Sequence, residues 1–391
     1  MQRDRPGFRI ALISNYQPDR SYSMLGYARM LEEGLRARGV CAEAIYPPMV
    51  FGRLPVGRGE AAKWIRYIDK YLIAPMWLRW KTRRAEMIHV CDHSNSMYLG
   101  CAGGRPSLIT CHDLIAINST QGKYPGMSVR SSGRVLQRWI ARNLARARYV
   151  ICDSYQTQSD FHACFPDSAA TTRVIYVALN RTFNTASAES IGAALAASGA
   201  PAGTHYLLHV GNNGWYKNRL GAMQIFSALI QFPEFSAMKL ILAGPSWTSD
   251  MRAFCRTARL EDRILEANDV TDETLNALYC GADALLFPSL IEGFGWPVLE
   301  AQACGCPVIT TNRAPMTEVA GDAAIFIDPA QPAAAAEAIR KQWQRRRELR
   351  ELGFRNLERF SLDQMLDSYC AAYEEVARME SADPPVPVNA N

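Results

Sequence analysis

The chain has 391 residues, 48% of them hydrophobic and 21% charged, with a net charge of +5 at neutral pH. That length suits two domains, each with its own core, and that composition excludes a disordered or collagen-like chain. No apolar run approaches the roughly 20 residues needed to cross a bilayer, and the eleven cysteines are scattered singly, as reduced thiols rather than a disulfide or metal framework.

Strand patterns fall at residues 8–14, 87–90, 108–111, 149–152 and 174–177, with helical patterns at 25–37 and 135–147 between them. The first strand follows closely on Met1, so no secretory leader is expected and a cytoplasmic location is. Residues 184–203, rich in Ala, Ser and Gly, read as a linker. Further strands are expected at 206–210, 239–242, 264–266, 284–287, 308–310 and 324–327. A long charged helix is expected from about residue 333, and a last helix at 362–379. The tail 381–391, with three prolines, reads as disordered. This alternation defines an α/β chain of parallel sheets covered by helices, with domains at 1–183 and 204–361. Neither first strand is followed by the dinucleotide fingerprint G-x-G-x-x-G, which argues against a nicotinamide cofactor.

The densest chemistry follows the apolar run Ala284-Leu285-Leu286-Phe287, which Pro288 ends. Glu292 lies in a Gly293-Phe294-Gly295 turn and Glu300, eight positions on, in the first turns of the next helix. Glycine lets backbone amides approach a ligand closely, and Pro297 suits the start of a helix whose free N–H groups attract anions. Two carboxylates so placed suit hydrogen bonds from the hydroxyls of a small polyol. The string resembles the E-x7-E signature of retaining glycosyltransferases of the GT-B type, family 4. The resemblance implies two Rossmann-like domains facing a central cleft, with the final helix packing back on the first domain. It places Glu292 beside the donor sugar and Glu300 on the ribose of a nucleotide sugar.

Other segments appear in the order this resemblance implies, densely from about 206 to 329 and thinly before. His209-Val210-Gly211-Asn212-Asn213-Gly214-Trp215-Tyr216-Lys217 follows the first strand of the second half. A glycine turn at Gly211 exposes amides to phosphate, and Lys217 supplies a compact point charge. The resemblance makes Lys217 the cation on the donor diphosphate, although Asn212 stands where relatives often carry Arg. A lone exposed lysine is otherwise merely solvated. Pro245, after the 239–242 strand, matches a donor-facing turn, and Val270 lies in a segment that relatives set against the nucleobase. Thr110-Cys111-His112-Asp113 matches a motif facing the transferred sugar, with His112 on the sugar or phosphate and Asp113 near the acceptor. A strand-end histidine can equally be structural. Gly26, ending the loop after the first strand, is the single glycine where relatives often show a pair.

Charge is unevenly spread. Residues 1–185 hold 26 Lys and Arg against 13 Asp and Glu, so the first half suits an anionic neighbour. Residues 63–86 mix Lys63, Arg66, Lys70, Arg79, Lys81, Arg83 and Arg84 with five aromatics, as an interfacial amphipathic segment does. Arg130, Arg134, Arg138, Arg142 and Arg146 recur every fourth residue opposite an apolar stripe of Val135, Leu136, Trp139, Ile140 and Leu144. Either stretch can also be a solvated basic face, and no nucleic-acid module accompanies them.

The expected activity is metal-independent transfer of a hexose, mannose-type favoured, from a UDP- or GDP-linked sugar with retention. No Asp-x-Asp pair occurs, and no cofactor beyond the nucleotide sugar is expected. The acceptor would be a lipid-linked or polysaccharide-precursor glycan, and the location cytoplasmic or at the inner membrane face. Two alternatives stay open: a GT-B epimerase or hydrolase, and a non-catalytic nucleotide-sugar-binding subunit.

Overall fold

The structure is a computed structural model that describes residues 8–19, 21–53, 60–124 and 130–382. The tail from residue 383, Met1 and the side chain of Lys63 lie outside the described residues. The chain divides into two compact units, one of Met1–Asn180 with Leu362–Asn391 and the other of Arg181–Ser361.

In the first unit, strands β1 (Arg9–Ile13), β2 (Cys41–Ile45), β3 (Met87–Val90), β4 (Ser107–Cys111), β5 (Tyr149–Cys152) and β6 (Thr171–Val174) form one parallel sheet in the order β2-β1-β3-β4-β5-β6. Helices α1 (Tyr22–Ala37), α2 (Glu60–Ile68), α3 (Ala74–Lys81), α4 (Ile115–Thr120), α5 (Ser131–Leu144) and α6 (Tyr155–Cys164) connect them. The central strands β3 and β5 are buried along their whole length, as parallel strands covered on both faces must be. Strand β2, absent from the sequence expectation, is an edge strand of only five residues with the half-exposed pattern of Cys-Ala-Glu-Ala-Ile. Strand β6 lies three residues before the expected 174–177 run. Of that apolar run, Ile175 and Val177 are buried in the connection beyond β6.

In the second unit, helix α7 (Ala188–Ala197) precedes the sheet, capped by Ser187, whose hydroxyl accepts from the Ser190 amide. Half of the expected linker at 184–203 is thus helix, because its alanines are the best helix formers. Strands β7 (Tyr206–Val210), β8 (Lys239–Ala243), β9 (Ile264–Ala267), β10 (Ala284–Phe287), β11 (Val308–Thr311) and β12 (Ala324–Ile327) pair in parallel in the order β12-β11-β10-β7-β8-β9. Helices α8 (Arg219–Leu229), α9 (Ser249–Thr257), α10 (Asp272–Gly281), α11 (Trp296–Ala303) and α12 (Met316–Ala320) run between and after these strands. The charged helix expected from residue 333 is broken into α13 (Pro332–Gln342) and α14 (Arg346–Asn356) by a 3-10 turn at Trp343–Arg345. Trp343 is buried there, its ring 4.9 Å from that of Phe235, so core packing rather than surface charge sets the break.

The last helix, α15 (Leu362–Ala382), belongs to the first unit. Its Tyr369 and Tyr373 hydroxyls enter a buried network with Tyr27, Thr110 and His89. His89 Nδ1 lies 2.9 Å from Tyr373 Oη and its Nε2 lies 2.8 Å from Thr110 Oγ1. Burial lowers the His89 pKa to about 3, so the ring is a neutral member of this network. Gly34 of α1 lets α15 approach: a Cβ there would lie 2.4 Å from Leu366 Cδ1. Gly34→Val is expected to destabilise the protein by about 1–3 kcal/mol through overpacking. Thermal melts would show this, and an unchanged Tm would place the tolerance of the α1–α15 contact above that of a packed core.

Candidate functional site

In both parallel sheets the order of the strands reverses once, and the polar residues gather where it does. In open α/β sheets, ligands bind outside the carboxyl ends of the strands at the point where the strand order reverses. In the second unit that point lies between β7 and β10, and in the first between β1 and β3.

At the β7/β10 switch, Lys217 and Glu292 meet. Lys217 Nζ donates to both Glu292 oxygens, at 2.8 and 2.9 Å, with the two side chains 15% and 8% exposed. The Lys217 ammonium also lies 5.2 Å from the Phe287 ring centroid and 5.6 Å from that of Tyr216. The two loops are stitched by the Leu290 amide donating to Tyr216 O at 2.7 Å and by Asn218 Nδ2 donating to Pro288 O at 3.0 Å. Asn218 takes a left-handed φ of 52° to turn the chain from Lys217 into α8.

Gly211 and Gly244 bring the β7 and β8 loops into contact. Gly244 has φ +143°, and a Cβ on it would stand 2.2 Å from Gly211 O, so no larger residue fits. Beneath them lies Arg219, a residue that the sequence reading passed over. It is 3% exposed and donates to Asn213 Oδ1 and, at 2.6 Å, to the carbonyl of Pro245. A second basic position directly after Lys217-Asn218 was the available signal. Asn212 is exposed and accepts from the Gly214 amide at 2.8 Å, shaping the turn. His209 Nε2, Ser289 Oγ, and Arg219 Nε and Nη2 are buried without a hydrogen-bond partner among the described residues. Buried side-chain polar atoms usually have a partner, so each of these four calls for one.

Gly295 caps α11 at φ +109°, where a Cβ would meet Met316 Cε at 2.3 Å. Phe294 is buried, its ring 5.7 Å from that of Phe360, and holds the Gly293–Gly295 turn against the unit. Glu300 is buried in α11 and accepts from Tyr279 Oη at 2.8 Å. Burial raises its carboxyl above the ordinary range, opposed by the Tyr279 bond and by the charges of Arg181 and Lys217. Val270 lies half-buried between Asp269, at φ +50°, and Thr271, whose hydroxyl caps α10 by accepting from the Thr274 amide.

At the β1/β3 switch of the first unit, Asn15 Nδ2 donates to Asp92 Oδ2 at 2.6 Å. His112 follows β4, with Nδ1 3.2 Å from Asp153 Oδ2 and Nε2 2.9 Å from the Cys91 carbonyl. Acceptors on both nitrogens require both to carry protons, so the ring is an imidazolium. Burial lowers the His112 pKa, but the Asp153 bond and the charges of Asp153 and Asp92 outweigh it and raise it to about 9. Burial pushes Asp153 up as well, so the pair contends for one proton. The imidazolium–carboxylate form fits the Cys91 bond. Asp113 Oδ1 accepts from the Ile115 amide at 2.9 Å and so starts α4. Gly26 is not at the end of a loop: α1 begins four residues earlier, and a Cβ on Gly26 would face Asn180 Nδ2 at 3.2 Å. Asn15, Asp92 and Asp153 were also missed, although each follows a strand as His112 does.

A group raised on folding stabilises the fold below its ordinary pKa and loses that contribution as pH passes the folded value. The His112 contribution is therefore full below about pH 6.5 and gone above about pH 9. Denaturation midpoints should fall across that window in the wild type and fall less in His112→Gln. Equal slopes would remove the charge from His112.

The geometry defines a protein of two Rossmann-like units with parallel six-stranded sheets, the GT-B fold. Sucrose-phosphate synthase from Thermosynechococcus elongatus shares it at TM-score 0.71 and 21% identity, over 95% of this chain and 99% of that one. Anabaena HepE, solved with UDP and glucose, shares it at TM-score 0.67 and 15% identity, over 94% and 99%. Residues 193–353 match the family model of the group 1 glycosyl transferases, within the second unit of this GT-B fold. The O-antigen chain mannosyltransferase B of Escherichia coli is 37% identical over 128 residues, 32% of this chain and 33% of that protein. The MMP alpha-(1->4)-mannosyltransferase of Mycolicibacterium hassiacum is 31% identical over 128 residues, 31% of each. These alignments span about a third of the length of the curated relatives.

Proposed function

We propose that the protein transfers a hexose, mannose favoured, from a UDP- or GDP-linked sugar to a hydroxyl of a lipid-linked or polysaccharide-precursor glycan, with retention of the anomeric configuration. The observation that carries this reading is the Lys217–Glu292 pair at the β7/β10 switch, followed by Glu300 on the next helix. The mannosyltransferase relatives support the choice of sugar.

Donor binding is assigned to the second unit. Lys217 and the amides of the Gly211 turn meet the diphosphate, with Pro245 in the adjoining donor-facing turn. Glu292, with the amides of Gly293 and Gly295, meets the sugar, Glu300 the ribose hydroxyls, and the segment around Val270 the base. Preorganised charge of this kind stabilises a departing diphosphate electrostatically, and the mechanism proposed needs no metal or cofactor. The C1–O bond to phosphate breaks and a C1–O bond to the acceptor forms on the same face. The acceptor proton passes to the leaving phosphate oxygen. His112 and Asp113 of the first unit are assigned to the sugar and acceptor; with both His112 nitrogens bonded within the protein, its role there is to present charge. None of the described helices is long and apolar enough to cross a membrane. All eleven cysteines are free, which suits the reducing cytoplasm where nucleotide sugars are used.

The test is a thermal-shift panel of UDP- and GDP-sugars, followed by assay of nucleoside diphosphate release with and without glycan acceptors. A ligand at 100 times its Kd raises stability by about 2.7 kcal/mol. Release that requires an acceptor, with an α-linked product from an α-linked donor, is expected. Release without acceptor would indicate a hydrolase, and binding without release under any acceptor a non-catalytic subunit.

A further inference from the structure

The segment joining β2 to β3 carries an apolar face turned to solvent. Helix α2 passes into α3 through a π-helical turn, Asp69–Ile73, closed by the Ala74 amide on the Asp69 carbonyl. Pro75 follows and lacks the N–H that an α-helical turn would use, and the widened turn accommodates the loss. The Lys70 carbonyl is taken instead by Tyr98 Oη at 2.9 Å.

One side of this segment is locked to the unit. Asp69 is fully buried and accepts from Tyr16 Oη at 2.6 Å and from the amides of Val50, Phe51 and Gly52. Lys70 is paired with Asp19 at 2.6 Å, and Ala74 and Leu78 are buried. On the other side, Trp64, Ile68, Leu72, Met76 and Trp80 recur every fourth residue and are 55%, 38%, 66%, 78% and 59% exposed. A four-residue spacing slowly drifts around an α-helix, and the wider π-turn reduces that drift, keeping the row closer to one face. Helix α5 adds to it. Val135 is 66% exposed, and the Trp139 ring lies 5.4 Å from that of Tyr71 in the π-turn. The apolar stripe of α5 is thus only partly core: Ile140 and Leu144 are buried, whereas Val135 and Trp139 are exposed.

Cations accompany this face. Arg79, Arg83 and Arg84 are exposed at the end of α3, and Arg134, Arg138 and Arg142 are exposed along α5. The Arg83 guanidinium lies 4.7 Å from the Trp80 ring centroid and donates to the Trp80 carbonyl at 3.1 Å. Lys70 and Lys81 are already engaged, by Asp19 and Glu43. A contiguous row of large exposed apolar side chains is uncommon on a soluble surface. Tryptophans next to arginines suit the boundary between headgroups and acyl chains. A nucleic acid would not reward Leu72 and Met76, and the cations require an anionic partner.

We propose that this face, formed by Trp64–Trp80 with the exposed side of α5, docks the first unit in the plane of a bilayer containing anionic phospholipid. The apolar row enters the headgroup boundary and the arginines meet lipid phosphates. The proposal is independent of the donor chemistry of the second unit.

The experiment is sedimentation of the full chain with vesicles of phosphatidylcholine alone or mixed with phosphatidylglycerol, at low and high salt. The wild type should sediment with the mixed vesicles at low salt, leave them at high salt, and ignore neutral vesicles. Two variants, Leu72→Glu with Met76→Glu, and Arg79→Gln with Arg83→Gln and Arg84→Gln, should each partition about 100-fold more weakly. Arg256→Gln with Arg259→Gln and Arg347→Gln removes as much charge from the second unit and should bind as the wild type does. Circular dichroism and nucleoside diphosphate binding should be unchanged in all three. Wild type remaining in the supernatant, equal loss in the second-unit variant, or full binding by the glutamate variant would each overturn the proposal.

Discussion

Lys217→Ala should weaken binding of a plain nucleoside diphosphate by about 100-fold, the scale of a buried charge-assisted contact. The expectation rests on the position of Lys217 at the strand switch; Arg219, held there through Nη1 by Asn213 and Pro245, keeps Nε and Nη2 unpaired and supplies the residual charge. In the structure the ammonium donates to both oxygens of Glu292. A diphosphate therefore competes with a carboxylate for the same three protons. Glu292→Gln should consequently bind the plain diphosphate as tightly as the wild type or more so, while its turnover falls by about 100-fold. Opposite signs for two residues in one ion pair distinguish a ligand contact from a structural bridge, whose loss from either side would act alike. Titration calorimetry at two salt concentrations measures both effects, and salt should change them little, because a largely buried charge is poorly screened. Equal diphosphate affinity in Lys217→Ala and wild type would move the phosphate site elsewhere.

Glu300→Ala should lower donor affinity and kcat/KM together, on the order of 100-fold, because the acceptor proposed for the ribose hydroxyls is removed. The raised carboxyl adds a pH signature. Its neutral form is favoured in the fold, so Glu300 costs stability once pH rises through the folded pKa. Ribose hydroxyls, in contrast, donate to the ionised form. Donor binding should weaken as pH falls through that same pKa, and Glu300→Gln should flatten the profile. A pH-independent wild type would show that Tyr279, not the ligand, is the permanent partner of this carboxylate.

The buried strands β5, β10 and β12 were legible because an uninterrupted apolar run leaves few alternatives, and β3 and β7 because a single histidine, His89 or His209, is all that breaks theirs. Strand β2 was not, because an edge strand with every second residue exposed and two alanines carries little apolar signal. The Gly-rich turn with Glu292 was legible from its local chemistry. Its pairing with Lys217, 75 positions away, was not, because only the strand order brings β7 and β10 together. Asp153 was legible in principle: it follows β5 as His112 follows β4, and reading the one as chemistry required reading the other. The basic segments were visible as composition. Which of their side chains are spent internally, as Lys70 and Lys81 are, was decided by acidic residues far away in the sequence.

Helix α15 gives the chain a discontinuous first unit, with the second unit inserted between Asn180 and Leu362. On the ribosome the consequence is an order of maturation. Domains mature as they emerge, yet here the unit that emerges first must wait. Until Tyr369 and Tyr373 leave the exit tunnel, Tyr27, Thr110 and His89 lack their partners on α15. Residues 181–361 are contiguous and can close while the nascent first unit is still held open.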